Sequence, residues 1–388
     1  MKQKHLFAAG LVLIACLSIG FWIARHKPLW TDEYYSMVSS IYNLSYADHF
    51  LGKIPEGNNS PFFYSLQKFI FQMIGYQVPE AWLQGHWADT DAASKITVRI
   101  LPVTCMSLSI ALMFYYFVSR YSIFTGLLGL IVYASSYMLW PYWAEARPYA
   151  LIVLLTTVQS LLLLKMIENK NKVEESLIGL VSVNILLSLS SILNIGSILA
   201  SGAVVWLWHS KNWYKQILLT LIPVAISLFY YVHAPKYQFC FDLTPEQLIR
   251  DNISRERFYI FFIFITALLL YFFQQKTSFL KLFTDKTLLK PIPYFLFTTL
   301  VLLSMVVVLA LFKWHATPSG QGFSITSRYF ICLTPISVLA ATLISTAIIR
   351  SLSNHKFLQW ALALIIGMLF LQRFFKIVPR AIRSILGV

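Results

Sequence analysis

Long apolar runs recur along this chain almost without a break, and they leave it few ways to fold. A helix needs roughly 20 residues at 1.5 Å rise to cross about 30 Å of hydrocarbon. Runs suited to that task, free or nearly free of charge, stand near 6–24, 97–119, 123–140, 149–165, 176–193, 195–209, 215–232, 258–273, 291–312, 329–349 and 357–372. With 58% of 388 residues hydrophobic and 12% charged, there is too little polar surface for a soluble domain of ordinary make-up. The expected fold is an all-α polytopic membrane protein with about 11 transmembrane helices, forming a single domain over residues 1–388. No internal repeat, low-complexity tract or separate soluble domain is visible. Around Asn194 and Gly196 two short spans or one re-entrant feature fit equally.

Lys2 and Lys4 precede the first run, as in a signal peptide, but it lacks a small-x-small exit and ends in Arg25-His26-Lys27-Pro28. It is read as a retained first span. Counting loop lysines and arginines alone does not fix orientation, yet two short loops, holding Lys165/Lys170/Lys172 and Lys276/Lys281/Lys286/Lys290, favour a cytoplasmic N-terminus. The net charge of +15 points to anionic partners, membrane lipid headgroups first among them. Nucleic acid is not expected, because the charge is scattered among loops with no basic-aromatic platform apart from the spans. Of the four cysteines only Cys240 falls in a loop, so no disulfide framework is implied.

Three polar clusters interrupt this pattern on the expected outer face. The first is Asp32-Glu33, within Trp30-Thr31-Asp32-Glu33-Tyr34-Tyr35 just beyond the first run. Carboxylates beside a bilayer are costly unless water, a cation or a substrate compensates them, so the pair is either a solvated loop feature or a chemical site. The loop that carries it, 25–96, also holds Ser60-Pro61 and an amphipathic stretch running to Gly75. Ser65, Lys68 and Gln72 fall on one side of that stretch, and Phe62, Leu66, Phe69, Ile70 and Met73 on the other. It is too short to span and is expected to lie in the interface, beneath the Asp32 loop. The second cluster is Pro141-Tyr142-Trp143-Ala144-Glu145-Ala146-Arg147-Pro148-Tyr149-Ala150. Here Arg147 can bind a phosphate bidentately or pair with Glu145 or Glu33. The third is Ser324-Ile325-Thr326-Ser327-Arg328-Tyr329-Phe330, where a second arginine opens a late span.

Taken in order, Asp32-Glu33, Asn59-Ser60-Pro61-Phe62-Phe63-Tyr64, Glu145-Ala146-Arg147-Pro148-Tyr149-Ala150-Leu151 and Arg328-Tyr329 make the chain resemble the GT-C superfamily of polytopic glycosyltransferases. The resemblance is to the branch of protein O-mannosyltransferases and aminoarabinose transferases. It is strong over 1–165 and thin between 170 and 320. It implies an inverting transferase using a polyprenyl-phosphate-linked sugar, with its site facing outward from a bacterial inner membrane. Asp32 and Glu33 would be the catalytic acids, the first as base and the second as an orienting or pairing group. Arg147, Arg328, Tyr149, Tyr329 and Asn59 would bind substrate. The chemistry asks for such residues independently: an acceptor hydroxyl needs a carboxylate to take its proton, and a departing lipid phosphate needs cations.

In contrast to many relatives, this chain ends in a short basic tail, 373–388, rather than an extramembrane domain, which leaves acceptor recognition to loops or a partner. The acceptor class (protein, lipid or glycan) stays open. The sequence singles out no particular cofactor. A divalent metal is the residual alternative, but His49, His86 and His315 in the outer loops form no helix-spaced ligand pair. The competing function is a lipid-linked sugar flippase or another polytopic transporter. That class favours ionisable residues in mid-span or interrupted half-repeats, whereas the charges here gather at span ends.

Overall fold

The computed structural model describes residues 2–55, 60–87, 90–168, 173–208, 213–233, 263, 292, 294–301, 304, 331–351 and 356–386. Among them every regular element is helical. Among the described residues six helices are long and apolar enough to cross a membrane, over Gln3–His26, Ile100–Arg120, Tyr149–Met166, Tyr214–His233, Leu333–Arg350 and Lys356–Arg383, and the protein is a helical membrane protein.

In chain order the helices are α1 (Lys2–His26), α2 (Thr31–Tyr35, continuing as a π turn over Ser36–Tyr42), α3 (Tyr46–Phe50), α4 (Phe62–Ile74), α5 (Glu80–Leu83), α6 (Ala92–Val98), α7 (Ile100–Arg120), α8 (Ile123–Ala134) and α9 (Leu139–Tyr142). There follow α10 (Tyr149–Glu168), α11 (Val173–Ser188), α12 (Ile195–Trp208), α13 (Trp213–Gln216), α14 (Ile222–His233, joined to α13 by a π turn), α15 (Leu333–Ser351) and α16 (Lys356–Leu386). The centre of the bundle is α7, α10 and α15, with α1 and α8 against α7, α11 against α10, and α16 on the α8 side. Burial follows this layering: 89% of the apolar window of α15 is inside the protein, against 17% for α16. Outward faces rich in Leu, Phe and Trp suit lipid, as in Leu6, Phe7 and Leu11 of α1 and Phe357, Trp360 and Leu364 of α16. Gly20 allows α1 its close approach, since a Cβ there would lie 2.7 Å from Val103 Cγ1 and 2.8 Å from Trp143 Nε1.

Polar groups inside the bundle pair with one another, because hydrocarbon offers no water. Gln159 of α10 donates to Asn184 Oδ1 (2.7 Å), and Asn184 of α11 donates to Ser201 Oγ (3.1 Å) and to the Leu219 carbonyl in the π turn (2.8 Å). The Tyr294 hydroxyl closes the network on Gln159 Oε1 at 2.7 Å.

Two expected spans take a different form, and the segment around Asn194 takes one of the forms left open. The run at 123–140 is helical only to Ala134, after which Ser135 turns its hydroxyl back to the Val132 carbonyl and Trp140 Nε1 caps the Ala134 carbonyl. The α9 turn that follows contains Pro141, which cannot donate into a longer helix. Around Asn194 the chain forms two helices: Ser191 accepts from the Leu193 N–H and Asn194 donates to the Leu187 carbonyl, folding a tight turn between α11 and α12. At 16 and 14 residues, these two helices are about 24 and 21 Å long. The last run does not stop at 372, because α16 continues to Leu386 with Ile377 and Ala381 buried on the protein side. The runs at 258–273 and 291–312 fall mostly outside the described residues.

In the first loop the amphipathic stretch forms a helix, α4. α4 ends at Gly75, whose φ of 67° is the left-handed cap that glycine adopts freely. At its start Pro61, not Ser60, occupies the capping position, and the Phe62 N–H finds the Leu189 carbonyl at 2.9 Å. Ser65 and Gln67 face the protein, and Lys68 donates to the carbonyls of Ile41 and Leu44 (both 2.8 Å) in the segment just after Asp32. Phe69, Met73 and Ile74 are exposed, as befits a helix whose outer side meets lipid.

Candidate active site

Glu33 and Arg99 meet at the end of the bundle where α1, α7 and the α9–α10 turn converge. Both side chains are fully buried. Arg99 stands at the break between α6 and α7, with Nε 2.9 Å from Glu33 Oε1 and Nη2 2.7 Å from Oε2. Its remaining N–H groups donate to the carbonyls of Ala24, Lys27 and Pro28 at 2.7–2.9 Å, where α1 ends. Every donor of the guanidinium is thereby used. Glu33 in turn accepts the Ala146 N–H (2.7 Å) and the Trp30 N–H (3.0 Å). Burial alone would push the Glu33 carboxyl up. The Arg99 guanidinium, its hydrogen bonds, the Lys27 charge and the Ala146 N–H outweigh it and hold the carboxyl well below the usual range.

This clasp sets the two residues beside it. Asp32 precedes Glu33, and Arg147 follows Ala146. Arg147 Nη1 lies 3.4 Å from Asp32 Oδ2 and 3.4 Å from the Asp32 carbonyl. Asp32 is the more open of the pair, its side chain 34% exposed against 9% for Arg147. The Arg147 guanidinium also stands 5.8 Å from the centre of the Tyr149 ring, which packs on Tyr142 at 5.0 Å. A carboxylate with one side toward solvent and the other toward a cation can accept a hydrogen bond from an incoming hydroxyl, while the cation stays within reach of an anion.

The two pairings foreseen for Arg147 are both taken by other cations. Glu145 pairs with Lys27 at 3.2 Å, and Lys27 also donates to the Pro141 carbonyl at 2.8 Å. Glu33 is taken by Arg99. Arg99 and Lys27 were not singled out from sequence: Arg99 reads there as one charge inside the apolar run 97–119, and Lys27 as part of the basic end of the first run. The usable signal was the unbalanced acid, since a Glu33 placed beside a bilayer needs a cation and Arg99 opens the next span.

Asp32, Glu33, Arg147 and Tyr149 are thus gathered at one end of the bundle, whereas Asn59, Arg328 and Tyr329 lie outside the described residues. His49 is buried, with Nε2 donating to the Ser40 carbonyl (2.7 Å) and Nδ1 accepting from Ser65 Oγ (3.0 Å), and burial lowers its basicity. Both its ring nitrogens serve the loop fold. Among the described residues no three His, Cys, Asp or Glu side chains are grouped to hold a metal. Compared with family models, with curated proteins and with solved structures, the chain matches none.

Proposed function

We propose that the protein is an inverting glycosyltransferase of GT-C-like architecture. On this reading about 11 spans present the Asp32 end of the bundle to the extracytoplasmic side of a bacterial inner membrane. The donor is a sugar linked to polyprenyl phosphate and the acceptor is a hydroxyl. Asp32 takes the acceptor proton as the oxygen attacks the anomeric carbon. The bond from that carbon to the phosphate oxygen breaks, and the lipid phosphate leaves with the electron pair. Arg147 and Arg328 compensate the charge growing on that phosphate.

The single observation that carries this reading is the half-open Asp32 carboxylate beside Arg147, held from behind by a buried clasp. Preorganised charge at the edge of a rigid bundle is what such a transfer needs. The test is incubation of purified full-length protein with a panel of polyprenyl-phosphate sugars, followed by mass analysis of the lipid. Release of free polyprenyl phosphate from one donor, lost in Asp32→Asn, is the expected result. Unchanged donor with every sugar and acceptor tried, together with movement of lipid-linked sugar across vesicles, would replace the enzyme with a transporter.

A further inference from the structure

The last helix is longer than a membrane requires, and the surplus has its own chemistry. At 31 residues, α16 measures about 46 Å against about 30 Å of hydrocarbon. Its final part carries Arg373, Lys376, Arg380 and Arg383, and no acidic residue occurs from Lys356 to Val388. Spacings of three and four put these basic groups within an arc of about 80°. Ile377 and Ala381, on the neighbouring arc, are buried against the protein, while Lys376, Arg380 and Arg383 are exposed. No acid among the described residues forms an ion pair with those three.

The level of the stripe is set by its first residue. Arg373 Nε donates to the Ser135 carbonyl at the end of α8 (2.9 Å), and the Phe374 ring lies 6.3 Å from that of Trp140. Trp140 and Trp143 pair at 5.6 Å, two residues before Glu145. The stripe therefore emerges at the Asp32 end of the bundle, level with the end of α8 and about 26 Å along α16 from Lys356. A phosphate on a lipid headgroup is the anion found at that depth.

We infer that Lys376, Arg380 and Arg383 form a docking stripe for the headgroups of anionic phospholipids in the leaflet at the Asp32 end. The inference is independent of glycosyl transfer. Full-length protein in nanodiscs of equal parts phosphatidylglycerol and phosphatidylcholine, examined by native mass spectrometry, tests it. Wild-type protein is expected to retain phosphatidylglycerol over phosphatidylcholine by roughly threefold or more, and the variant K376Q/R380Q/R383Q to fall to near parity. R380K/R383K should keep the enrichment because charge is what attracts, and Lys165→Gln, at the opposite end of α10, should leave it unchanged. Should the triple variant not elute as a single species, R380Q/R383Q supplies the reading, with a partial loss expected. A wild type without enrichment, glutamine variants that retain it, or loss in either R380K/R383K or Lys165→Gln would overturn the assignment.

Discussion

Asp32 and Glu33 are adjacent acids at the same membrane boundary, yet the fold treats them in opposite ways. Glu33 is sealed between Arg99, Trp30 and Ala146, whereas Asp32 meets Arg147 at the longer distance of 3.4 Å and keeps a third of its side chain exposed. The difference arises from one residue of helical rotation: in α2, Glu33 turns toward α7 and Asp32 toward the rim. A buried ion pair with every hydrogen bond satisfied serves position more than net stability, because desolvation cancels much of the attraction. A half-open carboxylate is the one with freedom to meet a substrate. The chemistry proposed for Asp32 and the architecture around Glu33 make separable predictions.

The largest effect should come from breaking the architecture. Arg99→Met leaves Glu33 charged and buried without its partner, an event that costs about 3–5 kcal/mol. Thermal unfolding of the detergent-solubilised protein should show it as a large fall in midpoint. The double variant E33Q/R99M should recover part of the loss, since a glutamine oxygen can still accept from Ala146. A double variant no better than Arg99→Met alone would mean the pair is not the source. Next in size, Asp32→Asn should reduce sugar transfer roughly 100-fold or more while leaving that midpoint near wild type, because it removes a proton acceptor and not a packed group. If instead Asp32→Asn unfolds the protein, the two acids are not divided as described.

Acid should separate the two acids again. The folded-state value for Glu33 is depressed, so its stabilisation is present above the ordinary carboxyl value of 4.5 and is lost as pH falls below that toward about 2. Wild-type protein should lose stability on acidification through this window more steeply than E33Q/R99M does. Parallel curves for the two would remove Glu33 from the acid response.

How far the sequence revealed this arrangement depended on the kind of signal. Spans with long uniform apolar runs, such as α7 and α10, are legible because hydrocarbon demands length and little else. α8 was less so, since Ser135, Trp140 and Pro141 end it through particular hydrogen bonds that hydropathy does not register. That Asp32 and Arg147 are candidates was legible from their residue types at span ends, and the structure places them 3.4 Å apart. Their supports were not: Arg99 is 66 residues from Glu33 in the chain, and only the packing of α1 against α7 brings them together. The basic segment 373–388 reads as a tail, whereas its residues to Leu386 continue α16, with Ile377 and Ala381 buried.

The smallest effect should be that of Arg147→Lys. Its contact with Asp32 is long, at 3.4 Å, and the carboxylate is partly solvated, so a stability change within about 1 kcal/mol is expected. Lysine keeps the charge near Asp32 but loses the planar fork that can hold two phosphate oxygens and face the Tyr149 ring. A few-fold slower transfer with weaker donor binding follows if Arg147 meets the phosphate, with a larger defect for Arg328→Lys. Single-turnover rates and donor binding measured on both folded variants decide it. Loss of folding in Arg147→Lys on the scale of Arg99→Met would place Arg147 in the clasp and erase the contrast between rim and support. Unchanged binding and rate in both lysine variants would leave stabilisation of the departing phosphate to another cation of the chain, such as Arg255 or Arg257.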